Sequence, residues 1–218
     1  MKGILAHLFS WVFLPLFMPT YGILLAMYIP SIPKDLSQVS MFLLPPEMKT
    51  RLVLLFFLFS AVAPGLSFLA LHQKKVISTI DIENQRERNI PLLVMMAYSL
   101  VLFLLFFVKA PDAALPIAFY ALPLSGFIVT SVFMGINRWI KISLHAGGAG
   151  ILVGFLFAFY LEQQTFASWI LPMAVIASGL TISARLFLNK HRPIEVYTGW
   201  TLAVLITFFT HYFYSQCV

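Results

Sequence analysis

Long apolar runs alternate with short polar connections along this chain. Continuous apolar segments occupy roughly 5–29, 51–71, 91–108, 115–136, 143–161, 168–187 and 195–214. Each is close to the roughly 20 residues that a helix needs to cross about 30 Å of hydrocarbon. Lipid satisfies no backbone hydrogen bonds, so a spanning segment is either a helix or part of a closed barrel. The apolar residues are contiguous rather than alternating, which selects helices. The pattern predicts an all-α polytopic membrane protein, a bundle of about 6–7 transmembrane helices forming a single transmembrane domain over 1–218.

Composition agrees. The chain is 61% hydrophobic and 10% charged, whereas a soluble domain carries roughly 25% charged residues. The N-terminal run follows a single Lys2 and has no small-residue cleavage site, so it reads as a retained first span and not a removed signal. Pro15, Pro19, Pro64, Pro116, Pro123 and Pro172 lie in or beside spans and predict kinks or helix ends. Gly147, Gly148, Gly150 and Gly154 predict close helix approach at the start of the fifth span. Trp11, Trp139, Trp169 and Trp200 fall near span ends, as an interfacial aromatic belt requires. His7, His72 and His211 have no partner pattern and read as interface residues.

Charge changes the picture more. The formal net charge is +6, but the cations lie between spans, where they report topology, lipid headgroups or an anionic substrate and not nucleic acid. Seven spans put the N-terminus, 72–90, 137–142 and 188–194 on one face, called face A below. Connections 30–50, 109–114, 162–167 and the C-terminus lie on the other. Face A carries Lys2, Lys74, Lys75, Arg86, Arg88, Arg138, Lys141, Arg185, Lys190 and Arg192; the other carries Lys34, Lys49, Arg51 and Lys109. The positive-inside rule leans face A toward the cytoplasm of a bacterial-type inner membrane. That bias weakens once Arg88, Lys141, Arg185 and Arg192 are assigned to an anion site. Cys217 is the sole cysteine, which excludes an internal disulfide and a thiolate metal site. The five histidines are scattered without metal-ligand spacing, so neither metal nor cofactor is expected.

Three polar patches share face A: "DIENQRERNIP", "NRWIKISLHAGG" and "ARLFLNKHRPIEVYTGW". Arg88, Arg185 and Lys141 offer positive donors, and arginine grips phosphate oxygens through paired hydrogen bonds. His145 and His191 can take or give a proton near neutral pH. Glu195 follows His191 by four positions, so a helical turn would let its carboxylate hold the imidazole Nδ1–H. A base or nucleophile oriented by a third group is the recurring layout of covalent catalysis.

The third patch resembles the third motif of the type 2 phosphatidic acid phosphatase superfamily, whose soluble cousins are vanadium haloperoxidases. That motif is Ser-Arg, five residues, His, three residues, Asp; here Ala184-Arg185, His191 and Glu195 keep the spacing, and Gly199 matches a small residue that often follows. Lys141-Ile142-Ser143-Leu144-His145 keeps the Ser and His of the second motif without its Pro and Gly. Of the first motif only Arg88 is matched, with Asp81 standing where the family has Lys and Pro91 slightly late. The resemblance covers about 86–210. It implies a metal-independent membrane phosphatase acting on a lipid phosphate or diphosphate. His191 would be the nucleophile that becomes phosphorylated, Glu195 its orienting acid and His145 the acid that protonates the leaving alcohol. Arg185, Arg88 and Ser143 would hold the phosphoryl oxygens, with Lys141 or Lys190 replacing the missing Lys. Membrane lipids are the implied partners.

Rival readings make different demands. A degenerate relative would bind a lipid headgroup or carry a solute without turnover. A prenyltransferase of the UbiA type needs paired Asp-rich motifs for magnesium diphosphate, and only Asp81 with Glu83 resembles one. Arg88, beside Glu83 and Glu87, also fits a solvated salt-bridged loop.

Overall fold

A computed structural model describes residues 2–35, 38–82, 84–109 and 115–217. Connection residues 110–114 and Glu83 therefore lie outside the described residues. The protein is an all-α polytopic bundle in which, among the described residues, seven helical stretches are long and apolar enough to cross a membrane.

The first stretch is broken. Helix α1 (Lys2–Val12) stops ahead of Pro15, and a 3-10 turn over Pro15–Phe17 leads into α2 (Met18–Tyr28). Leu14 is extended (φ −59°, ψ 138°), as the residue before a proline must be. The second stretch joins α3 (Pro46–Phe57) to α4 (Ala63–Gln73) through a widened π turn over Leu58–Val62. That turn accommodates Pro64, whose ring would clash with the carbonyl four residues earlier in a regular helix. The first turn of α2 meets the π turn in a hydrogen bond of 3.0 Å between the hydroxyls of Thr20 and Ser60. The remaining stretches are α5 (Asn89–Lys109), α6 (Ala118–Ile136), α7 (Leu144–Glu162), α8 (Ile170–Phe187) and α9 (Pro193–Cys217).

Helix α7 is the axis of the bundle. Its apolar window is 78% buried, against 22–44% for the other six. Glycine makes this possible. A Cβ on Gly148 would lie 2.5 Å from Pro15 Cα, one on Gly150 2.6 Å from the Trp200 carbonyl, and one on Gly154 2.5 Å from the Val204 carbonyl. The break after α1 and the Trp200–Val204 turn of α9 thus press backbone against α7. Trp200 is part of this seam: half-buried, it packs against Ala146, Ile182 and Val196 and does not join the interfacial belt with exposed Trp11, Trp139 and Trp169.

Two short strands, which the apolar pattern does not predict, lie on the face opposite the polar patches. Strand β1 (Ser31–Pro33) pairs antiparallel with β2 (Gln163–Phe166), with Ser31 opposite Phe166 and Ile32 opposite Thr165. They tie connection 30–50 to 162–167. On face A, Gln85 Nε2 donates to the Asn137 carbonyl at 2.6 Å and Asn137 Nδ2 returns a bond to the Gln85 carbonyl at 3.0 Å. The division of connections between two faces therefore holds among the described residues.

Candidate functional site

The site forms where the polar connections of face A converge. Spans three, five and seven all begin on this face, so the N-termini of α5, α7 and α9 meet here. Each N-terminus carries partial positive charge and unsatisfied N–H groups, which favour anions.

The spacing from Arg185 to His191 has a local cause. Helix α8 ends in a Schellman motif: Lys190 N–H donates to the Arg185 carbonyl at 3.1 Å and Asn189 N–H to the Leu186 carbonyl at 3.0 Å. Asn189 takes the left-handed conformation this cap needs (φ 52°). Arg185 thus sits in the last helical turn, where a cation complements the helix dipole, and the chain folds straight back toward α9. Pro193 opens α9 at a position that needs no N–H donor. Glu195, in its first turn, accepts from Arg192 N–H at 3.2 Å and from His191 Nδ1 at 2.9 Å through one oxygen, Oε2.

The Glu195 contact fixes the imidazole chemically. A carboxylate only accepts, so Nδ1 carries the proton and Nε2 carries the lone pair. Nε2 is buried and has no hydrogen-bond partner among the described residues. Burial, then the positive charges of Arg88, Arg185 and Lys141, push the His191 pKa down to about 3. The ring is neutral at pH 7, with an unengaged nitrogen within the electrostatic range of Arg88, Arg185 and Lys141.

Arg88 lies inside the site. It is buried, 2% exposed. Its Nε donates to the Ile82 carbonyl at 3.0 Å and its Nη1 to the Ile142 carbonyl. Glu87 turns the other way, binding Ser78 N–H, the Ser78 hydroxyl and Asn84. A short 3-10 turn over Gln85–Arg88 produces this split. The solvated-loop reading of Arg88 is therefore wrong: its guanidinium is enclosed and fixes the residue just ahead of Ser143.

Ser143 is fully buried and caps α7, its Oγ accepting from Ala146 N–H at 3.4 Å. Its own N–H donates to the Glu195 carbonyl at 3.1 Å, which ties the start of α7 to the start of α9. Gly199 permits this closeness, because a Cβ there would meet the Ser143 carbonyl at 3.0 Å. His145 follows in the first turn of α7 and is 7% exposed. Its ring lies within electrostatic range of Arg185, Asp81, His191 and Arg88. Lys141 donates from Nζ to the Lys190 carbonyl at 3.0 Å, pinning the loop that carries His191.

Arg185 is 3% exposed. Its Nη1 donates to the Ser10 hydroxyl at 3.0 Å and its Nη2 pairs with Asp81 Oδ2 at 3.1 Å, while Nε is buried with no partner among the described residues. Neither partner is foreseeable from the sequence. Asp81 stands out there only as an acid in place of a Lys, and Ser10 lies in the first span with no polar neighbour to mark it. All seven predicted site residues, His191, His145, Glu195, Arg185, Arg88, Ser143 and Lys141, belong to this one cluster. Among the described residues, no group of three or more His, Cys, Asp or Glu could hold a metal ion.

His211 also differs from expectation. It is 1% exposed, its Nδ1 lies 3.0 Å from Glu162 Oε1, and its ring meets Phe155 edge-on. It is a buried partner of the far end of α7 and not an interface residue. The pairing joins positions 49 apart, which no local pattern reveals.

No protein-family model matches the chain, and no curated protein or solved structure is significantly similar to it.

Proposed function

We propose that this protein is a metal-independent membrane phosphatase that hydrolyses a lipid phosphate or diphosphate through a phosphohistidine intermediate. One observation carries the reading: a neutral, buried imidazole, oriented by a carboxylate through Nδ1, presents an unengaged Nε2 among Arg88, Arg185 and Lys141. The resemblance of Arg185, His191 and Glu195 to a phosphatase motif points the same way.

In this mechanism the phosphoryl group of the substrate lies between the guanidinium groups and the N-termini of α7 and α9. His191 Nε2 attacks the terminal phosphorus in line, and the P–O bond to the leaving group breaks: the lipid alcohol from a monophosphate, the lipid monophosphate from a diphosphate. His145, which takes up a proton as the anionic phosphoryl group enters, passes that proton to the departing oxygen. A water then attacks phosphorus, His145 takes back a proton, the P–N bond breaks and inorganic phosphate leaves. Glu195 stabilises the positive charge that His191 acquires while phosphorylated. Phosphoryl transfer is mostly positioning and charge stabilisation, and fixed cations supply both. The lipid tail remains among the helices while its headgroup reaches face A. The positive-inside rule leans that face toward the cytoplasm of a bacterial-type inner membrane, by a bias that narrows to Lys2, Lys74, Lys75, Arg86, Arg138 and Lys190 against Lys34, Lys49, Arg51 and Lys109 once the site cations are discounted.

A second reading, a headgroup-binding relative without turnover, draws on Asp81, which holds Arg185 where a Lys would serve the phosphate. One assay separates the two: phosphate release in detergent, with chelator present, from phosphatidate, phosphatidylglycerophosphate and undecaprenyl diphosphate. Release lost in both His191→Ala and His145→Ala is expected. Absence of any His191-dependent release would leave only the binding reading.

A further inference from the structure

Asp81 is the carboxylate that pairs with Arg185, a cation of the cluster. We propose that Asp81 is a specificity-determining residue: its carboxylate occupies the phosphate-binding edge of Arg185, so that only a phosphate anchored by an apolar tail displaces it. The proposal rests on the reading of Arg185 as a phosphate ligand.

The geometry supports occlusion. An arginine receives phosphate in a bidentate manner through two adjacent N–H groups. At Arg185 Nη2, which belongs to both bidentate edges of the guanidinium, is taken by Asp81 at 3.1 Å, and Nη1 by Ser10 at 3.0 Å. The carboxylate imitates the anion it excludes, with one oxygen at charge-assisted hydrogen-bond distance. Asp81 also lies within electrostatic range of Arg88, His145 and His191, so it faces the whole site and not Arg185 alone. It is the accessible member of the pair, with its side chain 34% exposed against 4% for Arg185. A ligand entering from the membrane surface therefore meets Asp81 first.

The segment that carries Asp81 is held in place under strain. Ile82 takes φ 49°, a left-handed conformation that a β-branched residue rarely adopts. It persists because Ile82 N–H donates to the Thr79 carbonyl at 3.1 Å, its carbonyl accepts from Arg88 Nε, and its side chain is buried with Phe68 and Ile77. Such strain concentrates at ligand clamps, where the surroundings over-determine the conformation. Breaking the Asp81–Arg185 pair opens the Arg185 edge and releases one of the restraints around this turn.

The consequence is discrimination by tail. Inorganic phosphate and water-soluble phosphomonoesters must displace Asp81 with the phosphoryl group alone. A lipid phosphate adds the free energy of placing its chain among the helices. Removing the carboxylate charge should therefore help small anions most.

The test compares wild type, Asp81→Asn, Asp81→Glu and Arg185→Gln in detergent, each checked for a monodisperse profile and an unchanged melting temperature. Two quantities are measured: equilibrium binding of radiolabelled inorganic phosphate, and kcat/KM for a short-chain and a long-chain phosphatidate. Asp81→Asn is expected to tighten phosphate binding by about tenfold or more and to raise kcat/KM for the short-chain ester more than for the long-chain one. Asp81→Glu keeps a carboxylate and is expected to stay near wild type, and Arg185→Gln to abolish phosphate binding. Binding in Asp81→Asn within twofold of wild type, or weaker, overturns the proposal; with His191-dependent turnover intact in wild type, the phosphatase reading survives that result. Phosphate binding by neither wild type nor Asp81→Asn overturns both.

Discussion

The Glu195–His191 contact supports a quantitative prediction. Glu195 Oε2 accepts two donors, His191 Nδ1 at 2.9 Å and Arg192 N–H at 3.2 Å. Replacing Glu195 with Ala removes the acceptor for both, in a pair whose side chains are 0% and 13% exposed. A hydrogen bond to a charged group contributes about 1.5–3 kcal/mol, so loss of the His191 contact alone accounts for roughly a tenfold to a hundredfold fall in rate. Loss of the tautomer control adds to this, because an imidazole freed at Nδ1 also populates the form protonated at Nε2, which has no lone pair to attack with. Glu195→Ala is expected to lower kcat by about 10²–10⁴. Glu195→Gln behaves differently. Its amide oxygen can occupy the Oε2 position and keep both donors, so the tautomer survives and only the charge is lost. The difference between a charged and a neutral acceptor, about 1–2 kcal/mol, predicts a fall of only about 5- to 30-fold. The assay is steady-state hydrolysis of a short-chain phosphatidate at pH 7, with rapid-quench trapping of acid-labile phosphoenzyme to isolate the first step. Glu195→Ala within threefold of wild type would refute the orienting role. Glu195→Gln as inactive as Glu195→Ala would refute the assignment of both donors to one oxygen.

Further expectations follow from the same contacts. Gly154→Ala puts a Cβ 2.5 Å from the Val204 carbonyl, and backbone cannot yield as a side chain can, so about 1–3 kcal/mol of stability is lost; a lower melting temperature in detergent checks this, with Gly179→Ala, where nothing lies within 4 Å, as the neutral comparison. Asn189→Gly should be neutral and Asn189→Val should cost about 1–2 kcal/mol, because a β-branched residue resists the φ of 52° on which the α8 cap depends; thermal melts read the cost, and reduced phosphate release reads the displaced His191. The His191 pKa, lowered to about 3 by burial and neighbouring cations, has a signed consequence. Between about 6.5 and 3 the unfolded state holds the proton that the folded state lacks, so His191 contributes stability above pH 6.5 that is lost as pH falls toward 3, by up to about 1.4 kcal/mol per unit. His191→Gln should flatten that slope in a series of melts, and an equal slope in the variant would contradict it.

Much of the site is legible in the sequence. Glu195 four residues after His191 predicts the contact that α9 makes, because Pro193 and the first-turn acid specify a helix start by themselves. The Arg185-to-His191 interval is visible as a spacing, but its cause is not. It depends on a left-handed Asn189, which Asn permits without demanding. Arg88 is undecidable from sequence: Glu83, Glu87 and Arg88 fit a solvated loop equally well, and only the 3-10 turn over Gln85–Arg88 sends Arg88 inward and Glu87 outward. Trp200 and His211 mislead for a related reason. Both occupy span-end positions in the sequence, yet the glycine face of α7 draws α9 close enough to bury His211 and the indole nitrogen of Trp200.

The sequence by itself determined that seven segments are long and apolar enough to cross a membrane, which connections share a face, and which residue types gather there. Those features follow from the length of apolar runs and from parity, and both are local counts. Tertiary structure alone decided the pairing of Arg185 with Asp81 and Ser10, across separations of 104 and 175 residues, and that of His211 with Glu162. A carboxylate has no preferred partner until packing leaves one cation within reach and removes water from the rest. The same packing gathered Arg88 and Arg185 into a buried cluster with His191, whose Nε2 is left unengaged.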